Sequence, residues 1–299
     1  MTLRQKIRRI LRFGKVGSSG KRLNRSVWGD IFLFFFLGLF GLFSAWPLIF
    51  VINNAFKPLN EIFLFPPKLF VQNPTTSNFR DMFNLMSNSW IPFSRYIFNT
   101  LFITLIGTSG SVFISSLAAF PLAKFNFPGS KTMSKMIVYS LMFSGAVTGI
   151  PNFVIISKLG LLDSYWAVLL PTFSSSLGLF LMRNFMTQIP TDLIESAKMD
   201  GASDFYTYLH IIMPLAKPAW LTLIILQFQS LWGATGGSFI YSEKLKPLSY
   251  GLSQIANAGV ARTGVVAAVS LFMLIVPISV FIISQSQVIE TMASSGIKD

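Results

Sequence analysis

Gln188-Ile-Pro-Thr-Asp-Leu-Ile-Glu195-Ser-Ala-Lys-Met-Asp200-Gly201-Ala-Ser-Asp-Phe-Tyr-Thr-Tyr-Leu-His-Ile-Ile-Met-Pro214 is a hinged, partly polar stretch between two strongly apolar blocks. Pro190 followed by Thr191 and Asp192 is a helix start, because a hydroxyl or carboxylate can cap free backbone N–H groups. Leu193, Ile194, Ala197 and Met199 then predict a short, partly apolar helix. Gly201 permits a backbone angle that a β-carbon would oppose, so the chain can turn into a second short helix over about Ser203–Ile212, closed by Pro214. Two short helices joined at a glycine elbow form a knob.

The blocks around it set the class. Apolar residues make up 52% of the 299-residue chain and charged residues 12%, with a mean hydropathy of +0.60. A soluble domain carries about 25% charged residues and interrupts its apolar runs with them. Here the apolar runs reach about twenty residues, the length that crosses a bilayer as a helix. Six segments qualify: Ile31–Asn53, Tyr96–Ala123, Met136–Ser157, Tyr165–Met186, Pro218–Gly236 and Gly264–Ser284. The second and fourth are interrupted by Ser, Thr, Gly or Pro, residues common where membrane helices pack closely. The expected fold is therefore an all-α membrane protein of six transmembrane helices, in three parts: a basic tail over 1–30, a membrane domain over 31–285 containing the knob segment 188–217, and a C-terminal tail over 286–299.

Charge orients the spans. Arg4, Lys6, Arg8, Arg9, Arg12, Lys15, Lys21, Arg22 and Arg25 crowd the start of the chain with no acid among them, so the net charge of +13 is concentrated at one end. That placement suits anionic headgroups of membrane lipid rather than nucleic acid, and it keeps the N-terminus cytoplasmic. Alternation then puts Lys124, Lys131, Lys135, the knob and the C-terminus inside. Outside fall the Pro-rich Ala55–Phe93 loop, with a short helix near Asn78–Asn88, the Leu159–Ser164 turn and the Phe239–Arg262 loop. Leu3, Ile7, Ile10 and Leu11 share one face of the tail, which reads either as an interfacial helix or as a basic tail that only sets topology. The first block is too long for a cleavable leader and no small-x-small site follows it.

Residue types narrow the function. Secondary transporters usually place Asp, Glu, His or Arg inside the membrane to bind ions. None of the six segments has an Asp, Glu or His at depth, and the one histidine, His210, lies in the knob. The chain also has no G-x-x-x-x-G-K-[ST] loop, so energy for transport would come from a separate subunit. There is no cysteine, no Ser/His/Asp set, no metal-spaced histidine cluster and no paired carboxylates, so no enzyme activity, cofactor or metal is expected in this chain.

Glu195-Ser-Ala-x3-Gly201-x9-Ile211-x-Met213-Pro214 resembles the E-A-A-x3-G-x9-I-x-L-P signature of permease subunits of bacterial ABC importers. Ser196 and Met213 stand where the signature has Ala and Leu. Asp200-Gly201-Ala202 is similar to the carbohydrate-uptake branch, as are Asn99-Thr100, Leu117-Ala-Ala-Phe120, Lys124-Phe-Asn-Phe-Pro-Gly129 and Gly160-Leu-Leu-Asp163. Gly296-Ile297-Lys298 resembles the tail of the smaller maltose-type permease, whereas Trp232-Gly233 departs from a common Trp-Asn. The resemblance implies a type I ABC importer permease fold in the inner membrane, paired with a second, different permease, two ATPase subunits that bind ATP and Mg, and an extracytoplasmic solute-binding protein. It makes the knob the ATPase-coupling element. Glu195 would pair with a basic residue of the ATPase, Ala197 would pack against it, Gly201 would give the elbow and Pro214 would fix the knob to the fifth span. Ser196, Asp200 and Ala202 complete the matched coupling positions, and the resemblance extends the same contact to Gly296, Ile297 and Lys298, whose alternative is a frayed terminus.

The imported solute is expected to be a sugar, with an oligosaccharide favoured by the long tail and the Tyr241–Leu248 loop. Asn99, Thr104, Asn152, Gln227, Gln229 and Trp232 could line its path, since sugars are held by aromatic faces and by amide or hydroxyl groups. The same residues could instead hydrogen-bond helix to helix. Two other readings stand beside this one: the same architecture importing a peptide or polyamine, and a passive channel or scaffold.

Overall fold

The computed structural model describes residues 27–295 except 67, 88–90, 144, 258, 260 and 261, without side chains at 27, 146 and 284–295. The basic tail, and Gly296, Ile297 and Lys298, lie outside the described residues. The chain divides into two units, 1–50 and 51–299. The first holds most of α1 (Val27–Phe56), which is Phe-rich and apolar, with Phe36 tilted onto Phe40 at 4.5 Å between ring centroids. Such a surface suits lipid as its solvent.

The second unit is helical throughout its described elements: α2 (Leu59–Ile62), α3 (Ser77–Ser87), α4 (Phe93–Lys124), α5 (Ser130–Leu141), α6 (Gly145–Lys158), α7 (Trp166–Phe173), α8 (Ser176–Gln188), α9 (Asp192–Met199), α10 (Asp204–Leu215), α11 (Lys217–Trp232), α12 (Leu248–Ala256) and α13 (Thr263–Ser295). Among the described residues, four stretches are long and apolar enough to cross a membrane: α1, α4, α7–α8 taken as Trp166–Gln188, and α13. The pair α10–α11, bent by 77°, makes a fifth if it is one span. Met136–Ser157, expected as one helix, is built as α5 and α6, of 12 and 14 residues. Each is about 20 Å long at ~1.5 Å per residue, short of a hydrocarbon core of ~30 Å. At the other end of the chain, α13 continues to Ser295, through the start of the expected tail.

α4 shows how a membrane helix is built outside-in. Much of its buried side is polar or small, with Asn99, Thr100, Thr104, Gly107, Thr108, Ser111, Ser115, Ser116 and Ala119 set among Tyr96, Ile103, Val112, Phe120 and Leu122. Phe98, Leu101, Leu105, Phe113 and Leu117 stand exposed on the other side. Small residues let backbones approach, and dispersion then replaces the hydrophobic drive that lipid cannot supply. A β-carbon on Gly107 would sit 2.6 Å from a Leu231 methyl of α11, and one on Gly178 of α8 would sit 2.7 Å from Ser115 Oγ. A methyl group at either position would have to displace those side chains.

Two apolar clusters fix the ends of the bundle. One joins α4, α8, α9, α10 and α11 through Phe120, Met182, Met186, Ile194, Tyr208, Ile212 and Leu223. The other joins α3, α12 and the starts of α4 and α13 through Met82, Met86, Tyr96, Leu248, Leu252 and Val265. The outer helix expected near Asn78–Asn88 is α3, and Asn78 Nδ2 donates to the carbonyls of Ala55 and Lys57.

Candidate functional site: a coupling knob and a loop latch

The knob is α9, a glycine turn and α10. Gly201 adopts φ +81° with nothing within 4 Å of where a β-carbon would be, so the backbone angle alone requires glycine there. Ala202 N–H donates to Ala197 O at 2.9 Å and Gly201 N–H to Lys198 O at 3.0 Å, the paired bonds that close a helix C-terminus through a left-handed residue. Ser203 caps the next helix by accepting from Tyr206 N–H. Thr191 makes no such side-chain cap at α9, contrary to the expectation for the Pro190-Thr191-Asp192 start.

The second helix also differs from expectation. It runs past Ile212 to Leu215, includes a π turn over Tyr208–Ile212, and bends into α11 at Ala216, so Pro214 lies inside it and does not close it. Proline has no N–H, and the carbonyl it would have bonded, that of His210, sits within the π turn. Tyr208 OH meets Ser116 Oγ at 2.7 Å, and Lys124 Nζ donates to Ile189 O, so the knob is tied to α4 by polar as well as apolar contacts.

Glu195, Ser196 and Asp200 are exposed, whereas Ile194 and Ala197 are buried against the protein's own body. Ser196 Oγ turns back onto Asp192 O at 2.8 Å. Lys198 bridges Asp204 at 2.9 Å in the open, a pair that adds little stability. Leu193 and Tyr206 stay exposed and, with Ser196, Asp200, Gly201 and Ala202, line an open cavity of about 730 Å³; Met199 and Phe205 are exposed as well. The knob thus presents an exposed carboxylate beside exposed apolar side chains, on a helix held from behind.

The second constellation is a latch on the Phe239–Arg262 loop. Asn99, fully buried, donates through Nδ2 to Lys244 O at 2.9 Å and Lys246 O at 2.8 Å, and its Oδ1 accepts from Tyr165 OH at 2.7 Å. Thr100 Oγ1 accepts from Leu248 N–H at 2.7 Å, and Tyr96 OH donates to Glu243 at 2.6 Å. From the Leu159–Ser164 turn, Asp163 adopts φ 58° and accepts from Tyr241 N–H at 2.9 Å, Ser242 N–H at 2.8 Å and the Ser242 hydroxyl. Ser242's side-chain and backbone bonds, then Tyr241's N–H and the Lys246 charge, hold the Asp163 carboxyl below its usual range. Sequence reasoning did not assign Asp163, Tyr165 or Tyr96 to this task. The signal available was a lone acid in a short turn between two apolar blocks.

The six candidate path residues make no hydrogen bonds to one another among the described residues. Asn99 is engaged in the latch. Thr104 is buried with its hydroxyl unpartnered among the described residues, as are Thr108, Ser111 and Ser115 below it on α4. Asn152 is half-buried on α6. Gln227 donates to Ser175 Oγ at 2.8 Å, and Trp232 Nε1 donates to Met273 O at 3.0 Å, so both join helix to helix. Gln229 lines a cavity of about 280 Å³ with Phe228, Leu274 and Pro277.

Four stretches of membrane length, with a knob held out on a glycine elbow, make a polytopic membrane protein. The chain belongs to the family of binding-protein-dependent transport system inner membrane components, whose model matches residues 24–289. Permeases of this family work in the inner membrane with a binding protein and a separate ATPase. The chain is 34% identical over 216 residues to the polygalacturonan/rhamnogalacturonan transport system permease protein YtcP of Bacillus subtilis, covering 71% of this chain and 72% of that one. It is 27% identical over 270 residues to the arabinooligosaccharides transport system permease protein AraQ of the same organism, covering 90% and 95%. Its fold matches a crystal structure of a bacterial ABC transporter involved in the import of the acidic polysaccharide alginate, with a TM-score of 0.75 at 24% identity, over 88% of this chain and 99% of that chain. The fold is thus that of a type I importer permease.

Proposed function

We propose that the chain is one permease of a heterodimeric pore that imports a sugar, in oligosaccharide form, driven by two ATPase subunits carrying ATP and Mg. The observation that carries this reading is the knob, with an exposed Glu195 on a helix ended by Gly201 and anchored from behind by Ile194, Tyr208 and Ile212. The sugar follows from the relatives, which belong to polygalacturonan/rhamnogalacturonan and arabinooligosaccharide transport systems.

In this reading the chain crosses the membrane six times with both termini in the cytoplasm. The third crossing is α5–α6, broken near Phe143, and the fifth is the bent α10–α11. Glu195 meets a cation of the ATPase, Leu193 and Met199 enter its cleft, and Ala197 acts from inside by letting α9 lie close to the body. A binding protein delivers solute to the latched loop. Glu195→Lys and Gly201→Leu test the proposal in the reconstituted importer. Substrate-stimulated ATP hydrolysis should fall at least about ten-fold in both, the scale of losing one charge-assisted contact at a buried interface. Hydrolysis equal to wild type in both variants would refute the assignment.

A further inference from the structure

A cavity of about 530 Å³ opens beside the latch, lined by Ile91, Pro92, Ser94, Arg95, Phe98 and Lys244. Its volume lies in the roughly 300–1,000 Å³ range of small-ligand pockets. Two of the six lining residues are cations and none is an acid. Arg95 is held in place: Nε donates to Lys244 O at 3.2 Å, Nη2 to Tyr165 OH at 3.4 Å, and the guanidinium lies 5.5 Å from the Phe98 ring centroid. These bonds fix its direction without neutralising it, because both acceptors are uncharged. The Lys244 ammonium extends from the backbone that the latch grips, and its side chain is exposed.

Glu243 accepts from Tyr96 OH, and the Asp163 carboxylate accepts from Tyr241 and Ser242, so both nearby acids are turned to other partners and neither lines the cavity. Lys246, with Nζ 4.4 Å from the Tyr250 ring centroid, is a second cation on the loop that carries Lys244. A concave site lined by one sign of charge concentrates ligands of the other. A directed guanidinium matches the geometry of a carboxylate, and an aromatic face such as Phe98 suits the apolar side of a sugar ring.

We infer that this cavity is an entry subsite for an acidic sugar, in which Arg95 and Lys244 receive a uronate carboxylate while Phe98 carries the ring. The inference rests on the permease reading, because that reading puts this end of α4 on the outer side where solute arrives. A protein partner could also use cations, but a pocket of this size with an aromatic wall favours a monosaccharide unit over a flat acidic surface.

The test uses the assembled permease complex in nanodiscs, with tri-galacturonate as the charged probe and galactotriose as the neutral one. Tri-galacturonate should bind about ten-fold more tightly than galactotriose, and the advantage should shrink as salt rises from about 20 to about 300 mM. Lys244→Gln should remove most of that preference. It is a clean variant, since only the Lys244 carbonyl enters the latch. Arg95→Gln should also lose the preference and Arg95→Lys should retain part of it. Equal binding of both probes by wild type, or an unaltered preference in Lys244→Gln and Arg95→Gln, would overturn the inference. So would weaker capture of the binding protein by Lys244→Gln at unchanged probe affinity, which would assign the cations to a protein contact. Coupling through Glu195 is read independently. No probe preference in wild type, with hydrolysis still falling in Glu195→Lys and Gly201→Leu, sinks this subsite alone, and unchanged hydrolysis in both of those variants with the preference present sinks the coupling reading alone.

Discussion

Asp163 does at one position what most of the loop's own residues cannot do for themselves. Its carboxylate gathers two amides and a hydroxyl from a segment about eighty residues away, and the turn accepts a left-handed backbone to aim it. Asp163→Ala should loosen Tyr241–Lys246, lowering the hydrogen-exchange protection of the Tyr241 and Ser242 amides by about ten-fold while leaving α11 unchanged. The pH dependence follows from the direction of the shift. A carboxyl held below its ordinary 3.8 stabilises the latched state fully above that value and loses the contribution only as pH falls through the lower folded value. Protection, corrected for intrinsic exchange, should therefore be flat from about pH 8 to about pH 5 and decline only in stronger acid.

At the scale of elements, α10 is where the knob becomes a span. The π turn over Tyr208–Ile212, the proline that follows it and the 77° bend at Ala216 put the least regular helix beside the element proposed to receive force. Tyr208 is the buried strut there, 1% exposed and bonded to Ser116. Tyr208→Phe keeps the ring in its cluster and removes one buried hydrogen bond, so unfolding in mixed micelles should show a loss of about 1 kcal/mol. What could be read from the sequence divides along local and distant lines. The Gly201 elbow was legible because a positive φ is a demand on one residue, and α3 because Asn78–Asn88 carries a local period. The interrupted character of α4 was legible too, and its Ser, Thr and Gly positions are the inward stripe. The split into α5 and α6 was not legible, since hydropathy over Met136–Ser157 does not register a broken hydrogen-bond ladder. Nor was the latch, because Asn99 binds carbonyls that every residue owns, and it does so about 145 positions away.

For the whole molecule, the orientation is the most exposed part of the proposal and the easiest to check. The chain contains no cysteine, so single cysteines report on an empty background. Lys131→Cys and Lys198→Cys should resist an impermeant maleimide in intact cells and react once the membrane is opened, whereas Lys68→Cys and Arg80→Cys should react from outside. Labelling of Lys198→Cys in intact cells would overturn the six-crossing arrangement and the coupling role together. The grip on the 239–248 loop carries a different lesson. Asn99, Thr100 and Asp163 hold peptide groups at Tyr241, Ser242, Lys244, Lys246 and Leu248, with the Ser242 hydroxyl the one loop side chain among their partners. A socket that recognises the main chain is indifferent to most of the lettering written on it, so lineages can rewrite that segment for a new cargo or docking partner while its seat in the protein stays the same.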